Sequence, residues 1–488
     1  MKKIFILAGI VAGSTLLSGC DNILNVEPAS TITSSSFWKD SNDAKVYLTG
    51  IYNAVRNWTN TSYYGEDRGD SFKPGEVGPV SVAWSQELLE SNAPSYRNAY
   101  KIIHHCNLLF YKIQGLKFNK EEDRNNILAE CHFLRAHTYF QLLRSWGGVP
   151  LVEKPTLSDD VELKPRSSKE EVMAFILQDL DDAIGLFTQD GIRDKNKASK
   201  PAAYALKADA LMWKAKVLGG GEQELRAAID MIEKVEAGGV RLLDDYRSVF
   251  ANDNKKNDEI IFSFYMERYE TGNLSIATNT TSRTDNLSMA VNLSDAATSP
   301  NNSRHVYAPS DKLRALYLKN EGDVRMNVAM IDLVDKDNNL VLTQTNKFRG
   351  KEYTDDRYFD DDLIVYRWAD LLLLRAEAYA ALGESAKAIA DLNQVRHRAG
   401  LQDYAGPSAK PALEKEICDE RLRELFLEQK RWFDLVRFHF GGAINIYEEV
   451  PNLNDKQGYP LYLPINYNDM VLNEHLVQTE GYESSIKR

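Results

Sequence analysis

A recurring unit of two helical patterns divided by glycine limits what this chain can become. In WADLLLLRAEAYAALGESAKAIADLNQVRHRAG, residues 368–400, Leu372, Ala376 and Tyr379 fall at i, i+4 and i+7. Gly383 then breaks the chain, and Ala388, Leu392 and Val395 repeat the spacing. Each half carries one apolar stripe, and small residues on it let two helices approach closely. The segment PAAYALKADALMWKAKVLGGGEQELRAAIDMIEKV, residues 201–235, has the same layout. So does the stretch from Ile127 to Phe187, with a longer connection. Such a unit buries little alone and must stack on neighbours.

The layout resembles the tetratricopeptide (TPR) repeat. The expected fold is therefore mainly α. TPR-like helix pairs over about 95–237 and 367–438 form a right-handed superhelical scaffold, beside an irregular loop-rich part with a few short β-strands. The single helical patterns run over 37–57, 95–114, 120–146, 168–187, 201–218, 222–237, 367–382, 385–399 and 411–438. Two regions depart from them. Residues 58–94 hold glycines, prolines and many polar residues, but Trp58, Tyr63, Tyr64, Phe72 and Trp84 favour an ordered excursion. Residues 240–365 hold short β-type runs, at 259–265, 330–334 and 340–345, and a polar stretch, 270–305, expected as surface loops lining a site.

The start of the chain is a separate matter. Lys2 and Lys3 precede an uncharged apolar run, too short for a bilayer span, which ends in Leu17-Ser18-Gly19-Cys20. This resembles the bacterial lipoprotein signal. Residues 1–19 are then a signal peptide, Cys20 carries the lipid anchor in the membrane, residues 20–36 are a tether, and 37–488 form the body. Cys106, Cys131 and Cys418 cannot all pair and read as small core residues. A net charge of −12 argues against nucleic acid, whose binding needs a basic face. With 24 tyrosines and 7 tryptophans the chain can build an aromatic binding surface as well as a core.

Shorter motifs carry little. DKDNN, Asp335 to Asn339, begins like a calcium loop but places Leu340 and Asn346 where glycine and glutamate are needed, so it reads as a turn between strands. The acidic run from Asp355 to Asp362 reads as a solvated loop. His104, His105, Cys106, Cys131, His132 and His137 lack zinc-site spacing. RGD at 68–70 is a chance-sized match. No nucleophile elbow, HExxH or phosphate loop is present, and neither a metal nor a cofactor is expected.

Longer strings together resemble the SusD/RagB family of nutrient-binding lipoproteins from Bacteroidetes-type bacteria. They are YKIIHHCN (100–107), AECHFLRAHTYFQLLRSWGGVPLVEKP (129–155), WADLLLLRAEAYAALGE (368–384), ICDERLRELFLEQKRWFDLVRF (417–438) and LYLPINYNDMVLNEHLVQTEGY (461–482). Asn466 and the Glu428-Gln429-Lys430-Arg431 string depart slightly from the family pattern. In the second string, Gly147 and Gly148 can adopt φ > 0 and end the helix, and Pro150 keeps it ended. In the fourth, Glu420, Arg421, Glu424, Arg431, Asp434 and Arg437 alternate in sign. That gives either a solvated face or, beside Trp432 and Phe433, a buried ion-pair network.

The resemblance implies an outer-membrane lipoprotein facing the cell exterior, which captures oligosaccharides for a SusC-like TonB-dependent transporter and catalyses nothing. A surface glycoside hydrolase, or a peptide-capture or TPR-type scaffold, is the alternative. The family's site varies, so candidates come from composition: Trp58, Tyr63, Tyr64 and Trp84, with Arg68 and Asp70 as polar contacts, then Tyr269, Arg283 and Tyr307.

Overall fold

A computed structural model describes residues 37–158 and 162–486. The signal peptide, Cys20 and the tether lie outside the described residues. Ten helices form the frame: α1 (Ser41–Thr59), α2 (Arg97–Lys112), α3 (Glu121–Trp146), α4 (Lys169–Leu186), α5 (Lys200–Val217), α6 (Glu222–Glu236), α7 (Trp368–Ala381), α8 (Ser385–Arg398), α9 (Lys410–Leu425) and α10 (Arg431–Phe440). The three glycine-divided units of the sequence are α3/α4, α5/α6 and α7/α8. Each packs tightly within itself, and α4 lies on α5, α6 on α7 and α7 on α9. This is the TPR-like stacking the repeats require. Capping boxes start α1 (Asp40 with Asp43) and α4 (Ser168 with Glu171), and Ser199 caps α5 ahead of Pro201.

The helix expected over 411–438 is two helices. Its break, residues 426–430, contains no glycine or proline; Leu427 and Gln429 take φ of 69° and 59°. Tertiary donors replace the helical ones there. The Lys347 ammonium donates to the carbonyls of Glu424 and Phe426, at 3.2 and 2.8 Å, and the Gln429 N–H donates to the buried Glu66 carboxylate at 3.0 Å. The break thus lets α10 turn back beside α9.

The irregular part holds four two-stranded antiparallel sheets. β1 (Phe72–Pro74) pairs with β3 (Tyr307–Pro309), β2 (Ile260–Phe264) with β8 (Leu363–Arg367), β4 (Met330–Val334) with β5 (Leu340–Thr345), and β6 (Lys351–Glu352) with β7 (Arg357–Tyr358). DKDNN is the turn of the β4–β5 hairpin: the Asp335 carboxylate accepts the N–H groups of Asp337 and Asn339, both at 2.9 Å. Cys106, Cys131 and Cys418 are free and buried.

The alternating charges of α9 and α10 are the buried network, not a solvated face. Arg367 is fully buried and meets Glu259, Glu424 and Glu428 at 2.7, 2.6 and 2.7 Å. Arg325 meets Asp323, Glu420 and Glu424, and Arg421 bridges Asp370 and Asp434. Arg437 joins Glu377 to Asp434. Despite the pull of burial, these bonds hold Glu420 and Glu377 down at about 2, so both stay ionised. The network ties the helical stack to the irregular part through single guanidinium groups.

Two predictions follow from local geometry. Gly147 ends α3 at φ 75°, as expected, but Gly148 serves a different need. A Cβ on Gly148 would sit 2.2 Å from the Ser167 carbonyl oxygen, against backbone. Gly148→Ala should therefore cost about 1–3 kcal/mol, the range for overpacking, read as a lowered thermal midpoint. Glu66 is buried, with Ser71 and Gln429 as its donors, and burial pushes its carboxyl from 4.5 up to about 8. An acid whose folded pKa is raised gives stability that is complete below about 4.5 and declines as pH rises towards 8. The loss is at most about 5 kcal/mol, at 1.36 kcal/mol per pKa unit. Burial likewise raises Asp361, but only to about 6. Glu66→Gln should therefore flatten the decline in midpoint between pH 6.5 and 8.5, where Asp361 no longer contributes.

Candidate functional site

The first excursion, residues 58–94, folds inward. Trp58 and Tyr64 are buried against one another, with Tyr64 also 5.6 Å from the Trp146 ring. Tyr63 and Trp84 are half-buried on the core, and the Trp84 indole donates to the Phe72 carbonyl at 3.2 Å. Arg68 is 1% exposed. Its guanidinium donates to Gln86 and to the carbonyls of Pro460 and Leu461, and lies 4.1 Å above the Trp432 ring. Asp70 accepts from Arg431 at 2.5 and 2.8 Å and from Lys312 at 2.5 Å. Burial alone would raise its carboxyl, but Arg431 and Lys312 hold it well below the usual range. Tyr307 is stacked on Phe72 at 5.0 Å and donates to Asp67 at 3.1 Å. The expectation that these side chains face a ligand is corrected for Trp58, Tyr64, Arg68, Asp70 and Tyr307. The excursion is aromatic because it packs into the core; Asp70 is charge-paired there, and Arg68 is held by carbonyls, an amide and the Trp432 ring.

The second irregular region is open. After β2 the chain makes a tight turn: the Thr271 N–H donates to the Glu267 carbonyl at 2.8 Å, and the Tyr269 N–H to the Glu267 carboxylate at 2.9 Å. The turn sends Arg268 inward and leaves Tyr269 81% exposed. The Arg268 guanidinium lies 4.0 Å from the ring centres of both Tyr269 and Tyr353 and 4.9 Å from that of Tyr358. It pairs with Asp355 at 2.9 Å and also bonds the Tyr269 hydroxyl. Its Nε–H is buried without a partner among the described residues. Tyr353 and Tyr358 flank the tip of the β6–β7 hairpin, their rings edge-on at 5.8 Å.

Beside this cluster opens a cleft of about 500 Å³. One wall is the hairpin tip, Tyr353 to Asp356; the other is the polar stretch, with Thr284, Leu293 and Thr298. Asp356 clamps the walls together, accepting from Ser299 at 2.7 Å, Asn301 at 3.0 Å and Asn302 at 3.2 Å. Arg283, next to Thr284, is spent on Asp285 at 3.1 and 2.9 Å. Burial and a hydrogen bond to Asp360 push the Tyr353 phenol up to about 12, so it stays neutral at physiological pH. The arrangement offers aromatic faces, fixed hydroxyl and amide groups, and carboxylates already engaged.

Of the expected residues, Tyr269 lies against Arg268 beside this cleft and Arg283 adjoins its Thr284; neither lines it. Arg268, Tyr353, Tyr358 and Asp355 were missed. The signal available was the pair of tyrosines bracketing the acidic run. That run is solvated only at its start; Asp360, Asp361 and Asp362 are buried and bonded to Asn252, Gly350 and Asn196. Among the described residues, His132, Asp179 and Asp182 are the group with metal-type donors, but Arg135 donates to both Asp179 oxygens at 2.7 and 2.8 Å.

The fold and an aromatic-polar cleft on its irregular side define a binding protein built on a TPR-like scaffold. Family models sharpen the class. The SusD family model matches residues 246–482, and a SusD-like model described as "Starch-binding associating with outer membrane" matches 24–209. The chain belongs to the SusD/RagB family. It is 28% identical to SusD-like protein P38 of Formosa agariphila, over 99% of both chains. It is 23% identical to the starch-binding protein SusD of Bacteroides thetaiotaomicron, again over 99% of each. The solved structure of B. fragilis NanU superposes with a TM-score of 0.82 at 26% identity, covering 94% of this chain and all of the other.

Proposed function

We propose that this protein is a cell-surface glycan-capture lipoprotein, anchored to the outer membrane through Cys20, that delivers oligosaccharides to a SusC-like TonB-dependent transporter. The observation that carries the reading is the Arg268 cluster, with three tyrosine rings held around one guanidinium beside a cleft lined by Tyr353 and by the hydroxyls of Thr284, Ser294, Thr298 and Thr354. Tyrosine rings stack on the apolar faces of pyranose rings, and fixed polar groups meet the hydroxyls. The starch-binding relative and the outer-membrane description of the matching model support it.

Capture proceeds without hydrolysis on this reading. A glycosidase acid needs a raised carboxyl. In the cleft, bonds from its own turn, Tyr358 and Arg268 outweigh desolvation and hold Asp355 below its ordinary value. The test applies the signal-less chain to an array of neutral and acidic oligosaccharides. Retention of at least one class, recovered uncleaved on chromatography, is expected; cleavage products would overturn the reading. Co-purification of the lipidated protein with a large outer-membrane barrel tests the delivery step.

A further inference from the structure

A larger cavity lies elsewhere, about 820 Å³ between the α3–α4 connection, the end of α10 and the C-terminal tail. Its rings include Phe440, Tyr447, Tyr459 and Tyr462. Phe440 is 49% exposed, and the tyrosines are half-buried. The walls are braced from behind. Arg68 donates to the carbonyls of Pro460 and Leu461 at 2.8 and 2.6 Å. Arg166 donates to those of Trp146 and Gly148 at 2.6 and 2.7 Å. The Tyr447 hydroxyl donates to the Tyr459 carbonyl at 2.9 Å, and the Tyr459 hydroxyl accepts the Leu88 N–H at 3.0 Å. These bonds fix the Tyr447 and Tyr459 rings and the backbone that carries Tyr462 before any ligand arrives, which lowers the ordering cost of binding.

Among the described residues, one group in this cavity has no protein partner. The Tyr462 hydroxyl is buried and unbonded. A buried hydroxyl left unpaired is costly, so a hydrogen-bond partner supplied by a ligand beside the Tyr462 ring would relieve that cost. The Lys169 ammonium lies 5.5 Å from the Tyr462 ring centre. Arg166 and Lys169 are offset by Glu170 and Glu480, so the charge around the cavity is mixed. Fixed aromatic rings, an orphan hydroxyl and no dominant charge suit a polyhydroxylated ring better than an ion or a hydrocarbon.

We infer that this tail cleft is a second oligosaccharide-binding site, separate from the loop cleft, so that one molecule engages a glycan at two points. The ligand class rests on the proposed function; the existence of the site rests on the braced rings and the orphan hydroxyl. Two linked sites on one polymeric glycan raise avidity without new contacts.

The test is calorimetry on the mature chain, using maltoheptaose and the best-retained oligosaccharide from the array. Two binding events per protein are expected. Phe440→Ala with Tyr462→Phe should remove one of them, and Tyr269→Ala with Tyr353→Ala the other. Tyr462→Phe alone keeps the ring and should weaken the tail event about tenfold with an unchanged thermal midpoint. A single event abolished by the loop variant and untouched by the tail variant overturns the second site and leaves the proposed function standing. No binding by any array member overturns both.

Discussion

Replacing Arg367 with methionine should destabilise the fold by about 3–5 kcal/mol, the scale for breaking a buried ion pair. The guanidinium touches three carboxylates at once and also donates to the Glu424 carbonyl at 2.8 Å. Its loss does not leave them all bare. Glu424 keeps Arg325 and Arg398, Glu428 keeps Lys347, and Glu259 keeps Arg398 at 2.9 Å. The count of buried charge nevertheless shifts by one, and a fully buried excess carboxylate is the costly species. Arg367 ends β8 and immediately precedes α7, so the damage falls where the irregular part joins the helical stack. Arg226→Met is the control. Its pairs with Glu222 and Glu384 lie on the surface, with Arg226 55% exposed, and screened pairs of this kind contribute about 0–1 kcal/mol. Thermal or urea unfolding of both variants gives the comparison. Equal losses would mean that the buried network does not couple the two parts.

The second large effect concerns the loop cleft. Tyr353→Ala removes a ring of the platform and one of the rings that hold Arg268. Affinity at this cleft should drop at least tenfold, equivalent to about 1.4 kcal/mol. Arg268→Ala should weaken binding comparably, although the guanidinium is covered by rings, because Tyr269, Tyr353 and Asp355 lose their common anchor. Calorimetry reads both as the weakening of one binding event, and circular dichroism should be unchanged because the cluster sits on the surface. A normal isotherm for Arg268→Ala would remove the guanidinium from the role of organiser.

The helical frame was legible because its periodicity is local. Leu372, Ala376 and Tyr379, then Ala388, Leu392 and Val395, mark two helices whatever lies around them. The break at 426–430 was not legible, since its donors come from Lys347 and its acceptor from Glu66, far off in sequence. The same limit governs the site. Trp58, Tyr64 and Arg68 look like a binding surface in a polar excursion, but ring content does not reveal which side of a loop faces the core. Tyr269 and Arg283 were legible as exposed because they lie in or beside a stretch too polar to bury. Arg268 and Asp355 meet across 87 residues of sequence, through a turn and a hairpin whose strands are two residues each, too short to leave a pattern. The buried charges of α9 and α10 are a middle case. Their alternation was visible, and only the neighbouring Trp432 and Phe433 hinted that the face is interior.

The most direct measurement is photo-crosslinking with an oligosaccharide from the retained class, bearing a photoreactive group at its reducing end, followed by peptide mapping. Labelling of residues 265–271 or 351–358, competed by the unmodified sugar, is the expected result, with or without labelling of the C-terminal tail. Competed labelling confined to other surfaces, with none on the turn or the hairpin, would contradict capture at the Arg268 cleft.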